Sequence, residues 1–196
     1  MNIKKLFTLA VIGGAIIALS ACQTTRRTMN MDTSAYIQFE ALNSVNPDSD
    51  NRASPVVIRM FKLADARQFR REDFLNLYEN AEQRLGNDLL DTIVLKELAP
   101  GESRVEAIAL TPETKYIGLL AEFIQYEDAK AIMVLPITDH KKNKFDVKLH
   151  HNVLTSEEAY ETQEATSEAD IDAMRKQIDE LKRDKDTLES LGTIGQ

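Results

Sequence analysis

The chain contains a single cysteine, Cys22, among its 196 residues. One thiol excludes a disulfide within the chain and a metal site built from cysteines. The folded chain must therefore be stabilised by a packed core.

The sequence also lacks the short motifs of common enzyme classes. It has no glycine-rich phosphate loop, no nucleophile elbow and no His-Glu metal motif. His150 and His151 are adjacent, and neighbours on a strand point to opposite faces, so they are poorly placed to share a metal. Asp88 and Asp91 fit capping or turn roles better than acid–base catalysis. We therefore expect neither enzymatic activity nor a cofactor.

The surroundings of Cys22 have the layout of an export signal. Lys4 and Lys5 precede an apolar run over residues 6–19, which is too short for a stable membrane span. The segment Leu19-Ser20-Ala21-Cys22 resembles the lipobox of bacterial lipoproteins, which implies cleavage before Cys22 and a diacylglycerol on its thiol. In that class Gln23, rather than aspartate, implies transfer to the outer membrane. The alternative is a chance cysteine beside an ordinary cleavage site.

Basic residues are scarce relative to acidic ones, and the imbalance is uneven. The formal net charge is −8, and loss of Lys4 and Lys5 with residues 1–21 makes it −10. Residues 155–196 hold 12 acidic and 5 basic side chains. This composition argues against nucleic-acid binding and places a domain boundary near residue 155. We expect a leader over 1–21, a lipidated tether over 22–35, a domain over 36–154 and an extension over 155–196.

Short apolar segments separated by turns predict a mainly β domain, an antiparallel β-sandwich. The predicted strands cover residues 36–42, 55–63, 91–98, 103–110, 116–124, 130–135 and 144–151. One helical insert is predicted over residues 69–78, where Phe74, Leu77 and Tyr78 share a face. Gly86 is expected to end the helical turn that follows.

The acidic extension has two parts. Residues 155–168 predict a mobile linker or a weak helix. Ile171, Met174, Ile178, Leu181 and Leu188 then recur at heptad spacing, with Lys185 at one core position and Leu191-Gly192 at the end. The helix is short enough to be marginal alone. We expect it to pack on a second copy or another component through residues 171–191, the alternative being a solvated single helix.

Several segments together resemble the type VI secretion outer-membrane lipoprotein family TssJ (SciN, VasD). They include Ser54-Pro55-Val56-Val57-Ile58-Arg59, Leu98-Ala99-Pro100-Gly101-Glu102-Ser103 and Tyr116-Ile117-Gly118-Leu119-Leu120-Ala121-Glu122-Phe123. Their order behind a lipobox makes the set specific, and the resemblance covers about residues 36–153. It implies a transthyretin-like β-sandwich with a small helical insert and leaves the extension unexplained.

The resemblance also implies a structural role in the secretion machine. Members of the family anchor its trans-envelope complex to outer-membrane lipid and hold the periplasmic C-terminal domain of TssM, with TssL completing the complex. In the family, the main TssM contact is the loop between the first two strands. In this chain that loop comprises Asn43, Ser44, Val45, Asn46, Pro47, Asp48, Ser49, Asp50, Asn51, Arg52, Ala53 and Ser54. Such residues shape a turn without a core, and Arg52 and Val45 are the first candidates for interface anchors.

Two other functions fit the residues. A β-sandwich can carry a small ligand between its sheets, and a lipoprotein with a helical tail can link parts of the envelope. A deep apolar pocket would favour the ligand carrier, because an adaptor needs only a surface loop.

Overall fold

The structure is a computed structural model that describes residues 32–192. For residues 169, 180 and 183–192 it describes the backbone alone. The chain divides into two compact units between Leu154 and Thr155. Cys22, the predicted leader and most of the predicted tether lie outside the described residues.

Eight strands in the described part of the first unit and its boundary form two four-stranded sheets. They are β1 (Thr33–Ala41), β2 (Val57–Leu63), β3 (Leu89–Val94), β4 (Ser103–Leu110), β5 (Tyr116–Glu122), β6 (Ile132–Pro136), β7 (Lys142–His150) and β8 (Val153–Ser156). The strand orders are β4-β1-β7-β8 and β3-β2-β5-β6. The predicted β-sandwich is confirmed, and β8 is a strand that the sequence did not reveal.

The strand pairs of the second sheet are antiparallel, whereas the first sheet is mixed. β1 pairs antiparallel with β4, whereas β1 and β7 run parallel, with Tyr36 opposite Lys144. The β6–β7 turn returns the chain to the end of the sheet where β1 begins, and there the His140 N–H donates to Thr33 Oγ1 at 2.9 Å. β7 must therefore start beside the start of β1.

Alternating apolar side chains place one layer of the core between the sheets, and a second layer lies under the helical insert. In β1 every second residue from Thr33 to Ala41 is buried, as the two-residue period of a half-buried strand requires. Each large side chain that is fully buried contributes about 1.5–3 kcal/mol. The largest are Phe39, Phe61, Phe69, Ile37, Ile58, Met60, Leu63, Leu77, Leu98, Ile117, Leu119 and Leu120.

The helical insert differs from its prediction. Phe69–Arg71 is a separate 3-10 turn, and helix α1 covers Phe74–Leu85. α1 begins at residue 74 because Asp73 caps it, accepting a hydrogen bond from the Asn76 N–H at 2.8 Å. Gly86 ends the helix at φ +53°, in the left-handed region that glycine tolerates.

The insert covers the outer face of the second sheet. The Phe69 ring lies against β5 at Gly118, where a Cβ would come within 2.5 Å of the ring. Leu77 of α1 is fully buried, whereas Tyr78 is 42% exposed, so the predicted apolar face is covered only in part.

Helix α2 covers Glu157–Gly192 in the second unit. The segment predicted as a linker or weak helix is therefore the first part of one continuous helix. The Ser156 hydroxyl accepts a hydrogen bond from the Ala159 N–H at 3.3 Å, as a capping residue does. Within residues 32–192, no helix is both long and apolar enough to cross a membrane.

Candidate functional site

The β1–β2 loop, Asn43–Ser54, lies at one end of the sandwich. β1 carries the chain from the predicted tether to this loop, and its nine residues span about 30 Å. The loop and the point where the tether joins the sandwich are therefore at opposite ends of the first sheet.

The base of the loop belongs to the core. Val45 is fully buried, its N–H donates to Leu42 O at 3.0 Å, and its own carbonyl accepts from the Ser54 N–H at 3.2 Å. A side chain with no exposed surface cannot contact a partner. Val45 is therefore a support of the loop, and its expected role as an interface anchor does not fit the structure.

Asn46 fastens the loop to three other parts of the sandwich. Its side chain donates to Pro55 O at 2.6 Å and accepts from the Ile124 N–H at 2.7 Å, while its own N–H donates to His151 O at 2.7 Å. The residue is 1% exposed and has φ +49°. Asparagine is one of the few residues that visit this conformation readily.

Asp48 organises the loop tip, which we define as Ser49–Arg52. Its Oδ1 accepts from the N–H groups of Asp50 and Arg52, both at 2.9 Å. Its Oδ2 accepts from Arg52 Nε and lies 2.8 Å from Arg52 Nη2. These hydrogen bonds from Arg52 hold the pKa of Asp48 below its ordinary value. The tip therefore has a definite shape before any partner binds.

The tip presents charged groups to solvent. The side chains of Arg52 and Asp50 are 73% and 69% exposed, and Arg52 Nη2 lies 3.2 Å from Asp50 Oδ2. Ser49, Asn51 and Ala53 are also exposed, whereas Ser44, Pro47 and Ser54 are half-buried. Asn51 has φ +59°, and its N–H donates to Asp48 O at 3.0 Å.

The β5–β6 connection supports the loop from the side. Gln125 Nε2 donates to Asp48 O at 3.1 Å. The next residue begins an aromatic stack, Tyr126, Phe74 and Tyr78, with ring centroids 4.8 and 5.7 Å apart. Arg59 lies 4.8 Å over the Tyr78 ring and binds Glu122 at 2.8 Å. The sequence did not reveal this stack, because Tyr126 is far from α1 along the chain.

A cavity of about 610 Å³ adjoins the aromatic stack and opens to the surface. Its lining is mostly apolar with three charged residues, and it comprises Asp73, Phe74, Leu75, Tyr126, Glu127, Ala129, Lys130, Ala131, Ile132 and Leu154. The lining includes the outer side of α1 and the β5–β6 connection. The cavity is open to solvent and is not the deep enclosed pocket expected of a ligand carrier.

The histidine pair does not extend to a metal centre. His150 and His151 lie with ring centroids 6.0 Å apart and edge to face. Burial lowers the pKa of His150. In the part of the chain that the structure describes, no three side chains of the metal-binding types are grouped closely enough to hold an ion.

The chain is similar to secretion lipoproteins of known structure. TssJ1, a type VI secretion lipoprotein of Pseudomonas aeruginosa, shares 27% identity over 63% of this chain and 94% of its own, with a TM-score of 0.60. Lip of Serratia marcescens, a membrane-bound component of the type VI secretion system, shares 22% identity over 64% and 96%, with a TM-score of 0.59.

A further match is a chain of a type VI membrane complex, with 21% identity over 64% of this chain and 98% of its own and a TM-score of 0.56. The two matches below 25% identity show the fold alone. No curated protein is similar enough to this chain to count as a relative.

The family model of the type VI secretion lipoproteins (VasD, EvfM, TssJ) matches residues 33–152. This stretch contains the β1–β2 loop, α1 and every strand of the two sheets except β8. It makes up more than half of the chain. The resemblance seen in the sequence is thus confirmed, and the protein belongs to the type VI secretion lipoprotein family.

Proposed function

We propose that this protein anchors a type VI secretion envelope complex to the outer membrane and docks the periplasmic C-terminal domain of TssM through its loop tip. TssM in turn links it to TssL. The role is structural and involves neither catalysis nor a cofactor. Membership of a family of secretion lipoproteins supports this proposal.

The observation that carries the docking role is the preformed loop tip. Asp48 and Asn46 fix its backbone through hydrogen bonds, so binding a partner would require little further ordering. Arg52 stands 73% exposed on this rigid support. Arginine is enriched among residues that dominate binding energy.

The anchor would sit at the other end of the sandwich. Acylation of Cys22 would hold the tether in the membrane, and β1 would then lead away from the point of attachment toward the loop. Multiple acyl chains on one residue would give a firm anchor, since one chain binds only marginally. This arrangement would present the loop tip about 30 Å from the start of the strand.

Reversal of one charge in the tip tests the docking role. We expect Arg52→Glu to weaken binding to the purified TssM periplasmic domain about tenfold or more, because it removes a cation and repels Asp48. Isothermal titration calorimetry would measure the affinity. Circular dichroism would confirm that the sandwich remains folded.

Arg67→Glu is the matched control. Arg67 also pairs with an aspartate two residues before it, at 3.0 Å, but it lies beyond the far end of β2 from the loop. This variant should bind TssM normally. Equal affinities for the two variants would move the contact away from the tip, with the neighbouring aromatic stack as the next surface to alter.

A further inference from the structure

Helix α2 exposes an apolar stripe that lies outside the region matched by the family model. Ile171, Met174, Ile178 and Leu181 are exposed by 46%, 62%, 50% and 68%. Their spacing of three, four and three residues makes them alternate core positions of a heptad repeat. An apolar seam at this spacing is the surface through which helices pack in a coiled coil.

The charges beside the stripe indicate which helix would cover it. Taking Ile171 as position a, the e positions carry Arg175 and Lys182, and the g positions carry Asp170 and Gln177. One side of the stripe is thus basic and the other is acidic or neutral. The two sides are complementary to each other.

This asymmetry distinguishes between orientations of a second copy. In a parallel pair, each g position faces the following e position of the partner helix, so Asp170 of each copy meets Arg175 of the other. In an antiparallel pair, e faces e and g faces g, which brings cations against cations. The charge pattern therefore favours parallel pairing of identical helices.

The contact that Arg175 makes within its own helix does not prevent it from pairing with Asp170 of a second copy. Arg175 Nη1 lies 3.3 Å from Asp172 Oδ1 within the helix, but the two side chains are 74% and 70% exposed. An ion pair so exposed to water is weak. Arg175 can therefore turn to an acidic group on a partner helix at little cost.

We propose that the α2 helices of two copies pair as a parallel two-stranded coiled coil, with Ile171, Met174, Ile178 and Leu181 in the seam. The described seam spans only two heptads, so free chains in solution associate weakly. Copies held on one membrane would face the same way and meet at a higher effective concentration. That last step rests on the proposed anchor at Cys22, whereas the charge argument does not.

The single cysteine makes a disulfide test possible in the full mature chain. With Cys22→Ser as background, each introduced thiol is the only one present. Met174→Cys and Leu181→Cys, each alone, should form disulfide-linked dimers about tenfold or more faster than Lys176→Cys, which lies on the opposite face. Quantitative non-reducing gels would give the rates.

An antiparallel pair gives a different result. Because it sets a positions against d positions, it would link Met174→Cys chains to Ile178→Cys chains in a mixture, with little linkage of Met174→Cys chains alone. That result, or equal rates at residues 174, 176 and 181, would overturn the proposal.

A charge exchange tests the stated pairing. On the Leu181→Cys chain, Arg175→Asp should slow dimer formation about fivefold, because it places acid against Asp170 of the other copy. Adding Asp170→Arg should restore the rate. If the double variant stays as slow as the single one, or neither differs from the parent, the proposed pairing is wrong.

These variants leave the β1–β2 loop intact, and their background already lacks the acylated thiol. Failure of the coiled coil would thus be distinguishable from failure of TssM docking or of membrane anchoring. Far-ultraviolet circular dichroism on each variant would verify that α2 remains helical. A loss of helix in Arg175→Asp alone would also overturn the charge argument.

Discussion

Asn46 illustrates how one residue combines a strained backbone with satisfied hydrogen bonds. Its left-handed φ is unfavourable for most side chains, but its amide bonds two backbone groups that would otherwise be buried without partners. The conformation of the loop tip therefore depends on a residue that no partner can touch.

Replacement of Asn46 should affect both stability and binding. We expect Asn46→Ala to lower the free energy of unfolding by about 2–4 kcal/mol, because Pro55 O and the Ile124 N–H both lose their partner and alanine disfavours the backbone angle. Urea unfolding would measure this change, and TssM affinity should fall with it.

Asn46→Gly separates the two causes. Glycine accepts the positive φ but supplies no amide, so it should recover only the part of the loss that arises from the backbone. Full recovery would show that the hydrogen bonds to Pro55 and Ile124 contribute nothing.

Composition alone predicted that polar side chains shape this loop, but it did not predict that two of the loop residues are buried. Asparagine, aspartate and serine indicated a chain segment shaped by its own hydrogen bonds, and Asp48 makes such bonds. Burial of Val45 and Asn46 depends on contacts from distant segments. Ile124, for example, lies 78 residues from Asn46 along the chain, and local sequence carries no signal for such a pair.

At the scale of elements, α1 shows the difference between recognising a helix and locating its ends. The periodicity of Phe74, Leu77 and Tyr78 predicted a helix, and its start was misplaced at Phe69. Asp73 followed by Phe74 is a capping signal present in the sequence. Glu72 has an extended backbone at ψ 149°, which separates the 3-10 turn from the helix.

A buried carboxylate joins that turn to the end of α1. The Glu72 side chain is 1% exposed, accepts from Arg84 Nε at 2.9 Å and also accepts from Gln68 Nε2. The hydrogen bond from Arg84 lowers the pKa of Glu72 below its ordinary 4.5, against the opposing effect of burial. The folded protein therefore favours the ionised form more than the unfolded chain does.

This shift predicts a component of acid lability. A carboxyl with a lowered folded pKa contributes its stability above the unfolded value of 4.5 and loses it as the pH falls through the folded pKa. We expect Glu72→Gln to cost about 2 kcal/mol at pH 7 and progressively less below pH 4.5. Urea unfolding at a series of pH values from 7 to below 4.5 would measure the loss at pH 7 and its decrease in acid.

Glu79→Gln provides the control, because Glu79 is an exposed residue of the same helix. Other carboxyls with lowered pKa, such as Asp65 and Asp91, remain in both variants, so the difference between them isolates Glu72. If the free energy of unfolding that Glu72→Gln loses relative to Glu79→Gln stays constant as the pH falls, ionised Glu72 is not the source of the stability.

At the scale of the whole molecule, the sequence predicted that the domain is a β-sandwich but not which strands pair within its two sheets. Short apolar segments separated by turns were sufficient to predict a β-sandwich. Such a pattern does not say which strands are neighbours, so the parallel pairing of β1 with β7 had no sequence signal. β8 was missed because its four residues are too few for a period-two pattern to be distinct.

The placement of the loop and the tether at opposite ends of β1 leads to a prediction about Cys22. If acylation of Cys22 is the only attachment, Cys22→Ser should release the protein from the outer-membrane fraction into the soluble periplasmic fraction. Secretion should then fail. Cell fractionation and an assay for a secreted substrate of the system would measure the two effects.

The same variant should keep its affinity for the TssM periplasmic domain in solution. The loop is built from Asn46, Asp48 and their partners, all of which lie about the length of β1 from the start of the sandwich at Thr33. Anchoring and docking would thus be separate properties of the two ends. A Cys22→Ser protein that stays with the outer membrane after a high-salt wash would disprove the lipid anchor. One that leaves the membrane but no longer binds TssM would show that the two ends are not independent.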